Sequence, residues 1–279
     1  MLRLHKAFGH IMFKSNNHTY SSGNKSYTSV TTKIGQYQQP FDTKYWTLYK
    51  AVEANGLKVY RNMSISKLKA MYKSIKNPKY TPAYFKLKWE KEAKKGQDRG
   101  SLVHLVSEQR LYNKESLEDF NFDLDIKNLA VKAINQACRF VENNKNLIPV
   151  KTELIVGDEK AKVAGQCDAL LYDISSGEYV LLDWKTDKKL LKTNPFQSFK
   201  PPLNHLDDCE YNKYSLQLSM YKYFLEENAD IEIAKSIIVH VNEDNKDYTI
   251  HTLPYLKKEI KEILYGNNKR RNLYTANFN

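Results

Sequence analysis

The chain has 279 residues, which is enough for one large domain, or for one core with a substantial N-terminal elaboration. Its 44 Lys and Arg residues outnumber 32 Asp and Glu residues, and the resulting net charge of +12 favours polyanionic partners such as nucleic acid or an anionic membrane surface. Three widely spaced cysteines, Cys138, Cys167 and Cys209, argue against a disulfide framework and against zinc or iron–sulfur motifs.

The sequence contains neither a membrane-spanning run nor a secretory signal. No apolar run approaches the roughly 20 residues that cross a bilayer, and the N-terminus lacks an apolar signal region. We therefore expect an intracellular, soluble, cytoplasmic protein without a membrane partner, located in the host cytoplasm if a phage encodes it. Residues 1–41 contain no Asp or Glu, which leaves a mitochondrial location as the minor alternative.

The first part of the chain is predicted to be mostly helical. Residues 27–32 (YTSVTT) are rich in β-formers, and Pro40 then interrupts the chain. Gly96 and Gly100 predict a break between two later helices. Apolar periodicity predicts four helices, at residues 43–53, 65–74, 82–95 and 101–111.

The second part of the chain alternates helices and strands. An amphipathic helix is predicted at residues 126–143, and a proline-containing loop at 192–210. The later helices are predicted at residues 211–227 and 254–265, and the strands at 151–157, 160–172, 178–185, 233–242 and 248–253. This order predicts an α/β fold with a central mixed sheet flanked by helices. Residues 1–95 are expected to form a mostly helical N-terminal elaboration with short strands, a candidate region for guiding a nucleic-acid strand, and residues 96–279 the core.

Acidic residues interrupt two of the predicted apolar strands. Side chains alternate along a strand, so Asp183 and Lys185 project from one face at the end of the strand 178–185. Asp168 lies in the middle of the preceding strand. Two buried carboxylates require compensation, and a hard divalent cation such as Mg²⁺ or Mn²⁺ supplies it while leaving positions for water and phosphate. Lys185 would then position or activate a water molecule and offset negative charge on phosphorus.

A purely structural interpretation of the same residues remains open. Asp-x-Lys is common as an ion pair at the end of a strand, and Asp168 would then cap a turn. Surrounding residues favour the site: Glu153 lies in the preceding strand, and Gln217 and Tyr221 share one face of the next helix. Each of these, and His104 in the helix 101–111, is alone more typical of packing than of chemistry.

Five segments in this order resemble the PD-(D/E)XK nuclease superfamily, specifically its RecB-like exonuclease branch. They are RGSLVH (99–104), TEL (152–154), AGQCDALLYD (164–173), VLLDWKT (180–186) and YSLQLSMYKYFLE (214–226). The similarity runs from about residue 97 to residue 241. YTSVTT is also similar to the segment that opens the nuclease region of mitochondrial genome maintenance exonucleases and related phage and bacterial nucleases.

The resemblance implies a restriction-endonuclease-like core and a set of site residues. His104, Asp168, Asp183 and the backbone carbonyl of Trp184 would surround the divalent metal, with Lys185 as the catalytic lysine. The resemblance further implies that Glu153 binds a second metal or orients water. Gln217 and Tyr221 match the family's Q-x-x-x-Y helix, which helps to align the lysine and the nucleic-acid strand. Some relatives hold an iron–sulfur cluster with four cysteines, but this chain has three in other places, so no cluster is expected.

Three functions remain open at this point. The leading hypothesis is a metal-dependent DNA exonuclease that prefers single strands or free ends, in recombination, repair or replication processing. The alternatives are a structure-specific or restriction-like endonuclease, and a nucleic-acid-binding protein with an inactive centre. Expected nucleic-acid contacts are Arg99, Lys188 and Lys189. The sequence leaves the oligomeric state open, with a monomer as the default.

Overall fold

The chain folds into two compact units. The structure, a computed structural model, describes residues 1–112 and 122–275, with side chains up to residue 266. The sheet unit comprises Met1–Gln39 and Gly100–Asn279, and the helical unit comprises Pro40–Arg99. This division differs from the sequence boundary at residues 95 and 96, because residues 1–39 belong with the sheet rather than with the helices that follow them.

A mixed sheet forms the centre of the sheet unit. Its strand order is β1-β2-β3-β5-β6-β7-β8, and β4 pairs along the other edge of β5. The pairs β3–β5 and β6–β7 are parallel, and the remaining pairs are antiparallel. The strands are β1 Met12–Lys14, β2 Thr19–Ser22, β3 Lys25–Ser29, β4 Leu147–Asp158, β5 Val163–Asp173, β6 Glu178–Lys185, β7 Ile233–His240 and β8 Thr249–Leu253.

Helices cover both faces of this sheet. The helices that contribute to the sheet unit are α1 Leu2–Phe8, α2 Val30–Gly35, the C-terminal part of α5 Pro82–Leu111, α6 Leu124–Asn143, α7 Glu210–Ala229 and α8 Lys257–Thr275. Leu170 and Leu181 face a core built with α1, α2, α7 and α8. Ala169 and Leu182 face a second core built with α5 and α6. The predicted α/β architecture with a mixed sheet between helices is therefore confirmed.

Individual elements differ from their predictions mainly near the N-terminus. The glycine break is wrong, because α5 runs without interruption from Pro82 to Leu111. A single glycine inside a helix costs only about 1 kcal/mol relative to alanine, so neighbouring residues can carry the helix through. A Cβ atom at Gly100 would lie 3.2 Å from Oγ1 of Thr186, so the glycine permits a close approach to the end of β6. Residues 30–32, expected to be extended, begin α2 after the Ser29 cap.

The helical unit has a small core of its own. It contains α3 Thr43–Ala54, α4 Ile65–Ser74 and the N-terminal part of α5. Leu48, Val52 and Leu68 are the buried centre of its apolar cluster. The side chain of Asn55 donates to the carbonyl of Tyr80 and accepts from the N–H of Lys79. This amide therefore joins the end of α3 to the segment before α5.

The two units differ sharply in charge. Residues 40–99 contain 15 Lys and Arg but 5 Asp and Glu, so the helical unit carries +10 of the net +12. The remainder of the chain carries +2 although it is more than three times as long. None of the helices within the described residues combines the length and the apolar character required to cross a bilayer.

Candidate active site

Three acidic residues occupy one row across β4, β5 and β6. The register of β4 on β5 places Glu153 opposite Asp168. The ladder between β5 and β6 ends at the pair Ala169–Leu182, and Asp168 and Asp183 are the next residues beyond that end. Asp168 and Asp183 therefore lie where β5 and β6 stop pairing, next to Glu153 on β4.

Asp168 replaces the missing ladder bond with its side chain. Its Oδ2 atom accepts a hydrogen bond of 2.7 Å from the backbone N–H of Trp184, and Nδ1 of His104 lies 3.1 Å from the same oxygen. Burial by itself raises the pKa of Asp168, but the neighbouring His104 and Lys185 side chains outweigh it and hold the pKa below its usual value. The pKa of His104 is raised, because Asp168 outweighs the lowering effect of burial.

Asp183 is buried together with its lysine. Its side chain is 2% exposed, and Oδ2 forms an ion pair with Nζ of Lys185. Burial, followed by repulsion from Asp168, raises the pKa of Asp183 to about 6. Burial opposes the charge of Lys185, but Asp183 and Asp168 outweigh it and raise the pKa of the ammonium group. Lys185 is therefore charged at neutral pH.

Helix α7 holds the other oxygen of Asp183. Nε2 of Gln217 lies 3.4 Å from Oδ1 of Asp183 and 3.2 Å from the hydroxyl of Tyr221. The ring of Tyr221 lies against Gly165, where a Cβ atom would be 2.6 Å from the ring. Gly165 thus makes the space in β5 that lets Tyr221 and Gln217 approach the carboxylates. The structure brings these two predicted residues to the site.

Glu153 has an unusual backbone conformation for a strand residue. Its φ angle is +46°, in the left-handed region, and Gln166 donates to its carbonyl. Burial raises the pKa of the Glu153 carboxyl to about 7, with further contributions from Asp168 and Glu108. A non-glycine residue in this conformation costs roughly 1–2 kcal/mol, and such strain is concentrated at functional sites.

A second set of residues supports Lys185 and was not predicted from the sequence. The ammonium of Lys185 lies 4.4 Å from the centre of the Tyr214 ring. The hydroxyl of Tyr214 donates to Asp187 over 2.5 Å, and the backbone carbonyl of Asp187 is contacted by the side chains of His240 and Asn242. Helical spacing could have indicated Tyr214 as a site residue, because it lies three residues before Gln217 on the same face of α7.

The three predicted nucleic-acid contacts have different environments. Arg99 belongs to the helical unit and is 8% exposed, so it presents little surface to a phosphate group. Lys188 and Lys189 are exposed and follow the end of β6 within four residues of Lys185. Their role in binding stays a prediction.

The donors at this site suit a hard divalent cation. Asp183 Oδ2 is buried and, apart from its ion pair with Lys185, meets no hydrogen-bond geometry, so it retains acceptor capacity. Carboxylate, imidazole and carbonyl donors together match Mg²⁺ or Mn²⁺ chemistry. In residues 1–112 and 122–275, however, no three His, Cys, Asp or Glu side chains lie at metal-binding separations. The residues therefore fit a divalent cation by the chemistry of their donor atoms and not by the distances between their side chains.

Comparisons with known proteins leave the class of this site open. No family model matches the chain, and no curated protein matches it. A solved structure titled "Crystal structure of SSO0001" is similar over 61% of this chain and 75% of its own, with 16% identity and a TM-score of 0.26. A similarity of this size carries no argument about fold or activity.

Proposed function

We propose that the chain is a Mg²⁺- or Mn²⁺-dependent deoxyribonuclease of the PD-(D/E)XK type. It would act as an exonuclease on single-stranded DNA or free ends and hydrolyse phosphodiester bonds in recombination, repair or replication processing. The observation that carries the proposal is the meeting of Asp168, Asp183 and Lys185 where β5 and β6 stop pairing. An antiparallel β4–β5–β6 meander followed by a parallel β7 is compatible with a restriction-endonuclease-like core.

The electrostatics of the row support a cation partner. Asp168 and Asp183 repel each other, and this repulsion contributes to the raised pKa of Asp183. Lys185 compensates the two carboxylates in part. His104, Asp168, Asp183 and the carbonyl of Trp184 would hold the divalent cation, and Glu153 would hold a second one or orient water. When bound, the cation supplies positive charge to the phosphate that is attacked.

Lys185 would serve as the protonated partner of the phosphate. Its ammonium group is held between the Asp183 carboxylate and the Tyr214 ring, and its side chain is 14% exposed. A pre-oriented ammonium in a site of low polarity stabilises negative charge that develops during phosphodiester hydrolysis. It also orients a water molecule for attack. Tyr214 limits the movement of this group, so we assign it a positioning role.

Gln217 and Tyr221 would hold the carboxylate that faces Lys185. The Gln217 amide reaches Asp183 on one side and the Tyr221 hydroxyl on the other. Because Tyr221 is wedged against Gly165, this chain of contacts is tied to β5, which carries Asp168. Small displacements of α7 would therefore move Asp183 relative to Asp168.

The first experiment incubates end-labelled linear single strands, linear duplex and circular single strands with Mg²⁺, Mn²⁺ or EDTA. We expect metal-dependent shortening of the linear single strands, with circles left intact. Asp183→Asn and Lys185→Gln should each lower the rate by at least about a thousandfold. The matched control is Asp125→Asn, an exposed aspartate in the first turn of α6, and it should retain the full rate.

Other outcomes separate the alternatives. Cleavage of circles would replace the exonuclease with an endonuclease while keeping the site. Cleavage that survives EDTA or both site substitutions would remove the proposed centre altogether. Binding of DNA without cleavage in either metal would leave a binding protein with an inactive centre.

A further inference from the structure

The charge of the helical unit is not explained by its own fold. Its 5 acidic residues can neutralise at most a third of its 15 Lys and Arg residues. Concentrated charge of one sign destabilises a compact unit through self-repulsion, and the small core of Leu48, Val52 and Leu68 leaves little stability in reserve. A polyanionic ligand is the partner that this charge would attract.

In the N-terminal part of α5, three of the five lysines share one face. Residues 83–95 are exposed except for Phe85 and Trp89. We define the lysine stripe as Tyr84, Lys88, Lys91 and Lys95, which are spaced at i, i+4, i+7 and i+11 and therefore share one face of the helix.

The stripe is costly for an isolated helix. Like charges three and four residues apart destabilise a helix by a few tenths of a kcal/mol per pair. Lys88 lies 4.0 Å from Glu92, at the limit of an ion pair. In the part of the chain that the structure describes, Lys91 and Lys95 make no ion pair at all. Their ammonium groups are therefore available to phosphate groups.

Exposed aromatic rings accompany these lysines. Tyr84 is 44% exposed at the start of the stripe, and its ring is supported by Tyr80 at 5.4 Å and Phe85 at 5.2 Å between centroids. Phe41 is 65% exposed and contacts the edge of Trp89. A ring with one supported side and one free side can stack on an unpaired base. Paired bases inside a duplex are not accessible in this way.

We propose that the lysine stripe binds single-stranded polynucleotide, with the three lysines at successive phosphates and a base stacked on Tyr84. The inference rests on the proposed function for its choice of DNA as the ligand. It needs neither a metal nor cleavage, because phosphate contacts and stacking provide the affinity. The helical unit thus supplies a substrate-holding surface distinct from the carboxylates of the sheet unit.

The test measures binding of the full chain to a fluorescent oligo-dT of about 20 nucleotides in EDTA, by anisotropy across a salt series. The variant K88Q/K91Q/K95Q should bind at least about tenfold more weakly at low salt. For single strands the slope of log K against log salt is about −0.7 per phosphate contact, so the slope should become less negative by about 2. Unchanged affinity and slope would overturn the proposal.

A matched control removes the same charge elsewhere. K6Q/K246Q/K258Q changes three exposed lysines of the sheet unit. This variant should bind almost as well as the unchanged protein. Equal losses in the two triple variants would show that net charge alone drives binding and would also overturn the proposal. If the stripe variant loses helicity, the single changes Lys91→Gln and Lys95→Gln should each shift the slope by about 0.7.

Tyr84 tests the preference for single strands. Tyr84→Ala should weaken oligo-dT binding about tenfold and leave binding of a duplex with the same number of phosphates nearly unchanged, whereas Tyr84→Phe should restore stacking. Equal losses for both DNA forms would contradict the stacking role. Binding that depends on the stripe without any cleavage would remove the proposed nuclease and keep this inference. DNA cleavage, together with binding that does not depend on the lysine stripe, would overturn this inference and keep the proposed nuclease.

Discussion

The sheet unit and the helical unit use lysine in opposite ways. In the sheet unit, Lys185 is nearly buried, paired with Asp183 and packed on the ring of Tyr214. In the helical unit, Lys91 and Lys95 are exposed on a helix face next to further lysines. A buried charge pays a large desolvation cost and acts strongly over a few ångströms, whereas an exposed one acts weakly and is screened by salt.

Under the proposed function, the comparison assigns the two units different tasks on one polyanionic substrate. Bond cleavage requires a few charges with fixed positions, which only a large core provides. Holding a long strand requires many phosphate contacts. An exposed surface can provide them even where the hydrophobic core beneath it is small. The charge of +10 in the helical unit and +2 in the rest of the chain follows this division.

Substitutions in the two hydrophobic cores should have the largest effect, because each should change the stability of its own unit. Leu68 in the helical unit and Leu170 in the sheet unit are both fully buried. Replacing either by alanine should cost about 3 kcal/mol in the free energy of unfolding of its own unit. In a W46F/W89F background, Trp184 fluorescence reports the sheet unit during urea unfolding, and Leu170→Ala should shift this transition.

The Leu68 variant provides the matched comparison. Leu68→Ala should leave the Trp184 transition in place and shift only part of the loss of helical circular dichroism to lower urea. If each substitution shifts both the Trp184 fluorescence transition and the circular dichroism transition, the two units unfold cooperatively. The expectation of separate unfolding transitions is then wrong.

A smaller effect should distinguish positioning in the sheet unit from binding in the helical unit. Tyr214→Leu removes the ring beside Lys185, and kcat should fall about thirtyfold with little change in KM, since a desolvated cation–π contact contributes about 2 kcal/mol. Tyr214→Phe keeps the ring and should restore most of kcat. Tyr84→Ala should instead raise KM. A rise in KM for both tyrosine variants would contradict the division of roles.

A further prediction concerns the pH dependence of stability that Glu153 contributes. Its pKa rises from 4.5 to about 7 on folding, so the folded state binds a proton that the unfolded chain releases. This contribution to stability is fully present below pH 4.5 and is lost as the pH rises to about 7. In EDTA, Glu153→Gln should therefore reduce the fall in unfolding free energy between pH 5 and pH 8. An undiminished fall would assign the dependence to other groups.

Periodicity predicted the parts of the fold that depend on local spacing. The bounds of α4 and β6 agree with their predictions, because each has a clear apolar repeat. The strand repeat of two also placed Asp183 and Lys185 side by side. By contrast, α1 and the short strands β1 and β2 are too brief to show a repeat, and they were missed.

Some features of the candidate site depend on contacts between residues far apart in the chain, and local sequence patterns could not predict them. The bond from Trp184 to Asp168 exists because the β5–β6 ladder stops one residue earlier, and no local pattern indicates that position. The left-handed backbone of Glu153 likewise lies within the long-range pairing of β4 with β5, between the paired residues Thr152 and Leu154. The contact of Tyr214 with Lys185 joins residues 29 positions apart on a helix and a strand.

Under the proposed function, the strained backbone at Glu153 places thermostability and activity in opposition. Glycine adopts a φ angle of +46° without steric strain, so Glu153→Gly would relieve roughly 1–2 kcal/mol of strain, offset in part by about 0.5–1 kcal/mol of added chain entropy, while deleting the carboxylate of the row. Directed evolution for heat resistance alone would therefore favour loss of this side chain. A selection scheme that aims for a more durable catalyst should hold position 153 constant and seek its gains in the helical unit.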